Sequence, residues 1–263
     1  WMRGWNQLSR QALRPVQMHV RRFNTVDLAS DAYTKPSERR VEQLRRTAQF
    51  LSSLDVADQR EVAAMLRVDH SGEIAANTIY EAQADVFGFQ GKRQEKDLII
   101  VCLELTQEMW ENERKHLKAT SAMLDEYQTR PSALVPLWAL TGRVLGGATA
   151  MMGEKSAMAC TEAVETVIGE HYDEYVFVIL TQQLVHLDEI GDKLRAKFTG
   201  EKAQQLDESL ELLRSVLVEF RDDELEHLDT AVEHDAQQAP AHALLSAIVA
   251  YGCKGAIEVA KRI

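Results

Sequence analysis

Two Glu-x-x-His pairs, Glu113–His116 and Glu224–His227, are the only ones in this 263-residue chain. Each follows a lone glutamate set in an apolar stretch, Glu73 before the first pair and Glu165 before the second. On a helix, residues three apart share one face, so each pair presents a carboxylate and an imidazole side by side. Carboxylates are hard ligands that bridge or chelate, and they change mode as a metal changes oxidation state. Four carboxylates and two imidazoles on four helices are the ligand set of a carboxylate-bridged two-iron site inside a four-helix bundle. One histidine per iron leaves positions free for O2.

With 25 Glu and 8 His in the chain, the pairs alone barely exceed chance. Register and burial decide the matter. Val62, Leu66, Asp69, Glu73, Ala76, Tyr80, Ala84 and Phe87 are spaced by threes and fours, and so are Leu98, Cys102, Leu105, Met109, Glu113, His116, Thr120 and Met123. Met158, Glu162, Glu165, Ile168, Tyr172 and Ile179 make a third stripe, and Leu206, Leu210, Leu213, Leu217, Phe220, Glu224 and His227 a fourth. Each is the inward face of a helix. An unpaired carboxylate there costs several kcal/mol, and four sharing one core require cations. Asp223, just before Glu224, is placed to hold the His116 imidazole from the neighbouring helix. Tyr80 and Tyr172 lie two turns beyond the lone glutamates, and Tyr80 reads as a core residue.

The order repeats. Glu73 and Tyr80 recur 92 residues on as Glu165 and Tyr172, and Glu113-x-x-His116-Leu117 recurs as Glu224-x-x-His227-Leu228. Pro131 and Pro240 each open an apolar helix, over 132–153 and 240–262. The expected fold is all-α: a four-helix bundle with two additional apolar helices, built from a duplicated three-helix unit.

Composition agrees. Only 5 Pro and 13 Gly occur, so long helices form readily. Three cysteines without metal or redox spacing suit a reducing compartment. The formal net charge is −11, yet residues 1–26 hold five arginines and no acid. That segment reads as a mitochondrial transit peptide ending near Phe23, followed by a polar linker with one short helix over 27–58 and a domain over 59–263. The acidic body excludes general nucleic-acid binding. No unbroken apolar run is long enough to span a bilayer, the nearest being Leu134–Gly153, which Arg143 interrupts.

Leu66-Arg67-Val68-Asp69-His70-Ser71-Gly72-Glu73, Ala157-Met158-Ala159-Cys160-Thr161, His171-Tyr172 and Phe220-Arg221-Asp222-Asp223-Glu224-Leu225-Glu226-His227 resemble the mitochondrial 5-demethoxyubiquinone hydroxylase family. So do Pro136-Leu137-Trp138 and Tyr251-Gly252-Cys253, and the likeness covers about residues 60–263. The resemblance implies a ferritin-like monooxygenase with two iron ions, O2 and NADH as electron donor. Its substrate would be the ring of polyprenylated demethoxyubiquinone, in ubiquinone (coenzyme Q) biosynthesis. The implied ligands are Glu73, Glu113, His116, Glu165, Glu224 and His227, with Glu113 and Glu224 bridging, and His171 and Tyr172 would serve electron transfer. A peripheral place on the matrix side of the mitochondrial inner membrane and a lipid-binding partner protein are also implied. The apolar helices, with Trp138 at the interface, would form the membrane face, and their glycines would admit a lipid tail or another helix. Extra residues near Gly88–Leu105 and Leu184–Gln205 would lengthen helices or form a surface excursion. The rival readings are a ferritin- or rubrerythrin-like iron or peroxide handler, with the same ligands, and a non-enzymatic helical lipid-binding scaffold.

Overall fold

The computed structural model describes residues 48–94, 97–168 and 179–263, which hold helices and no strand. Seven α-helices occur among them: α1 (Val56–Gln94), α2 (Asp97–Glu126), α3 (Val135–Met151), α4 (Glu154–Ile168), α5 (Ile179–Arg195), α6 (Glu201–Glu233) and α7 (His242–Ala260). A single 3-10 turn, Ala236–Gln238, joins α6 to α7. The fold is all-α and ferritin-like, as expected. The transit segment and the start of the linker lie outside the described residues.

Helix ends follow local chemistry. Asp55 Oδ1 accepts the backbone N–H of Ala57 and of Asp58, both at 2.9 Å, and so caps α1. α1 therefore begins at Val56, inside the stretch read as linker, after a short helical stretch over 48–51. Pro136 falls in the first turn of α3, where its missing N–H has no partner to lose. Gly200, at φ 64°, turns the chain into α6. The extra residues near 88–105 and 184–205 extend helices: α1 runs to Gln94, α2 starts at Asp97, and only residues 196–200 separate α5 from α6.

α1 packs along α2, and α6 packs along both α4 and α5. The outer helices attach to the first helix of each half, α3 to α1 and α7 to α4. One core cluster fills one part of the bundle, with Leu66 of α1, Met123 of α2, Ile190 of α5 and Phe220 of α6 among its members. Another holds Ala76, Tyr80, Met109, Met158 and Ala231. The ionisable residues named above lie where these two meet.

Of the two roles expected for the glycines, contact with another helix is the one observed, while two other expectations about the outer helices change. Gly142 and Gly146 serve helix contact: a Cβ at the first would overlap Thr78 and the Ala75 carbonyl, and at the second the Ile79 backbone, all on α1. Arg143, which broke the apolar run, pairs with Glu81 of α1. Trp138 is not interfacial. It is buried against Val68 and Ala260, with its Nε1–H 3.3 Å from Ser132 Oγ. And α7, 19 residues, is long and apolar enough to cross a membrane by length and composition, with only 11% of it buried. Lys254 and Glu258 concealed this by dividing the run.

Candidate metal centre

The structure brings all six expected ligand residues into one buried place. α1 supplies Glu73, α2 Glu113 and His116, α4 Glu165, and α6 Glu224 and His227. Glu113 and Glu165 are fully buried, and the least covered of the six, Glu73, is only 8% exposed. Two groups form, in each of which the ligand atoms lie within 4.8 Å of one another: Glu73, Glu113, His116 and Glu224, and then Glu113, Glu165, Glu224 and His227. Glu113 and Glu224 belong to both, which is the arrangement bridging carboxylates need. His171 and Tyr172 lie outside the described residues.

Both imidazoles face the cluster with Nδ1. His116 Nδ1 is 3.3 Å from Glu224 Oε1 and 3.7 Å from Glu73 Oε2. His227 Nδ1 is 3.2 Å from both Glu113 Oε1 and Glu224 Oε2. The opposite nitrogens face outward. Asp223 Oδ2 sits 2.9 Å from His116 Nε2, as its sequence position suggested. Asn112, just before Glu113, brings its amide within 3.5 Å of His227 Nε2. Asn112 carries no motif of its own, and its one signal in the sequence is that the repeat aligns it with Asp223. Tyr80, which read as a core residue, does more: its hydroxyl donates to Glu165 Oε1 at 2.7 Å and its ring meets His227 edge-on. Phe220 tilts over His116 at 4.2 Å.

The charge balance asks for cations. Glu73 Oε2, both oxygens of Glu113, His116 Nδ1 and Glu165 Oε2 are buried and lack hydrogen-bond partners. Each such atom costs about 1–3 kcal/mol, and here they converge on the same small volume. Burial first, then neighbouring carboxylates, pushes Glu113 and Glu165 above the usual carboxylate range. Burial also raises Glu73, against the pull of His116. For His116 and His227 burial acts downward, but the carboxylates beside them, Asp223 and Glu224 for the first and Glu113 and Glu224 for the second, win and raise both. Burial would likewise raise Glu224, yet the two imidazoles beside it hold it below the usual range. Carboxylates and imidazoles this buried are relieved by positive charge among them, so the donor set fits a pair of hard metal ions.

A narrow cavity of about 100 Å3 reaches this cluster. Its wall is apolar, with Val68 and Ile79 of α1, Val164 and Val167 of α4, and Ile257 of α7, while Glu73, Glu113 and Glu224 lie at its inner end. A larger groove of about 860 Å3, bordered by residues 48–63 and Asp125–Thr129, contains none of the six clustered residues, so size alone does not locate the site.

A bundle that buries two Glu-x-x-His helices against two further glutamates defines the ferritin-like helical proteins whose interior can hold paired metal ions. Within that class the chain belongs to the COQ7 family, described as ubiquinone biosynthesis protein COQ7, whose model matches residues 60–260. It is 36% identical over 210 residues to the Mus musculus NADPH-dependent 3-demethoxyubiquinone 3-hydroxylase, mitochondrial, covering 80% of this chain and 82% of that protein. The Saccharomyces cerevisiae 5-demethoxyubiquinone hydroxylase, mitochondrial, is 34% identical over 200 residues, covering 76% and 77%. The Rhodospirillum rubrum 3-demethoxyubiquinol 3-hydroxylase is 33% identical over 221 residues, covering 83% and 86%. The chain is an enzyme of this hydroxylase class, an oxidoreductase.

Proposed function

We propose that the chain hydroxylates the ring of a polyprenylated demethoxyubiquinol, using O2, electrons from NADH or NADPH, and two iron ions held by Glu73, Glu113, His116, Glu165, Glu224 and His227. One observation carries this reading: two four-residue ligand groups share Glu113 and Glu224 at the inner end of an apolar cavity. When bound, the two irons would supply the electrons that split O2, one atom going to the ring and the other leaving as water. NADPH stands in the name of the mouse relative, so both nicotinamides are candidate donors.

The chain's own residues do the rest. The walls of the cavity, Val68, Ile79, Val164 and Ile257, take an apolar ring and keep water from it. Asp223 and Asn112 hold the imidazoles so that Nδ1 points inward. The Tyr80 hydroxyl holds a proton at Glu165 Oε1 and fixes that carboxylate. His171 and Tyr172 are assigned to electron transfer.

A substrate with a long tail is delivered from a bilayer. Leu137, Leu140, Val144 and Met151 form one exposed stripe on α3, and Leu244, Ile248, Tyr251 and Val259 form another on α7. These stripes are assigned to a peripheral contact with the inner mitochondrial membrane, on the matrix side, with a lipid-binding partner protein assisting. Residues 1–26 are assigned to targeting, and the remainder to the linker and the hydroxylase domain.

Metal analysis of the purified chain should find two irons, and demethoxyubiquinol should be hydroxylated under O2 with one or both nicotinamides. Glu165→Ala and Glu224→Ala should each lose iron and turnover together. A variant that keeps two irons and full activity would reject the ligand assignment.

A further inference from the structure

The two halves of the cluster are built alike but supported differently. A histidine that binds a metal through Nδ1 carries its hydrogen on Nε2 and must donate it. For His116 the acceptor is the carboxylate of Asp223, at 2.9 Å. For His227 the group in reach is the neutral amide of Asn112, at 3.5 Å. Asn112 is committed elsewhere as well, since its Oδ1 accepts Lys115 Nζ at 3.2 Å while its Nδ2 faces the imidazole. To accept the Nε2 hydrogen it must turn its amide over and give up Lys115. A carboxylate partner makes an imidazole a stronger donor to a cation, and adds a negative charge beside it; an amide does neither.

The cavity adds a second, independent difference. Glu73 of the first group lines it, together with the shared Glu113 and Glu224, whereas Glu165 does not, and neither histidine reaches it. Glu165 is instead fully buried and closed off by Tyr80.

We propose that the two metal positions are unequal: the Glu73–His116 position, backed by Asp223, fills first and is the one exposed to ligands entering the cavity, while the Glu165–His227 position, backed by Asn112, fills second and is sealed. This rests on the two-metal reading above. Asp223 and Asn112 are then positioning residues that set the order of loading.

The test uses the full chain and Co2+ under argon, followed by calorimetry and by visible absorption. The wild type should take up two equivalents in two resolved steps. Azide added after the first equivalent should change the cobalt spectrum, because that ion faces the cavity. Asp223→Asn should weaken the first step about 10- to 100-fold and leave the second nearly unchanged. Asn112→Asp should tighten the second step and draw the two together, an effect that loss of structure cannot produce. Two equal sites in the wild type, or a first step that responds to Asn112→Asp instead of Asp223→Asn, would overturn the inequality while leaving the two-metal centre standing. An azide-insensitive first ion would overturn the assignment of the open position. A chain that binds no cobalt and no iron would overturn the metal reading itself, and this inference with it.

Discussion

A thiol beside the proposed path of a quinol is a hazard, because oxidation of the quinol gives an electrophilic quinone and the thiolate is the form that attacks it. Cys253 of α7 lines the cavity that leads to Glu73. Burial, with a smaller push from Glu165, raises its pKa to about 11. Cys160, deeper in the same cluster, is raised to about 12 by burial despite the opposing hydrogen bond with Thr149. A raised pKa means fewer thiolates at a given pH, so near pH 7.5 only a few in ten thousand Cys253 side chains are ionised, on the order of tenfold fewer for Cys160. Iodoacetamide should therefore modify native Cys253 very slowly at pH 7.5 and about tenfold faster per pH unit up to near 11, read by mass spectrometry; a rate at pH 7.5 matching the unfolded chain would refute this. The six residues of the buried cluster were legible in the sequence because charged groups on apolar stripes are costly and so conspicuous. Tyr80 was not, because an amphipathic ring looks the same whether it merely packs or also donates to a carboxylate. Asn112 gave its signal only through the repeat, by standing where Asp223 stands.

α3 lies on α1 so closely that Gly146 has the Ile79 backbone where a side chain would begin. α1 carries Glu73 and Tyr80, so the contact also fixes one wall of the cluster. Gly146→Ala should destabilise the fold by about 1–3 kcal/mol, since backbone cannot give way as a flexible side chain does. For a domain of this size the melting temperature should fall by about 2–4 °C per kcal/mol. Gly147→Ala is the control: nothing lies within 4 Å of its added Cβ, and alanine is the better helix former, so its melting temperature should hold or rise. Equal melting for both variants would discount the close approach. Six helical stretches could be read, four from period and two from a proline opening an apolar run; four of them come close to α2, α3, α6 and α7, while α1 outruns its stripe at both ends. What period could not decide was where the extra residues near 88–105 and 184–205 go, because polar helix and polar loop share a composition. It also left open which neighbour the glycines of α3 served, since a missing side chain records that something is near and not what it is.

At the scale of the molecule, the proposed function makes the two outer helices the place where an insoluble substrate would meet the bundle. Each turns one side to the bundle and leaves a stripe of large apolar side chains exposed, Leu140 and Val144 on α3, Ile248 and Tyr251 on α7. Both helices also border the cavity, through Trp138 and through Cys253 and Ile257. A ligand leaving a bilayer at these stripes would have a short apolar route to Glu73. The sequence pointed to the two helices as a membrane face, but it placed Trp138 on the wrong side, because an aromatic suits an interface and a core equally well. The formal charge of −11 argues that attachment is apolar, since an acidic surface gains nothing from anionic lipid. The chain should then sediment with zwitterionic phosphatidylcholine vesicles, with little change when salt is raised. Leu140→Glu and Ile248→Glu, each at an exposed position, should reduce the bound fraction several-fold, and more when combined, with metal content and melting temperature unchanged. Vesicle binding that survives both substitutions, or that salt abolishes, would move the membrane contact to another face.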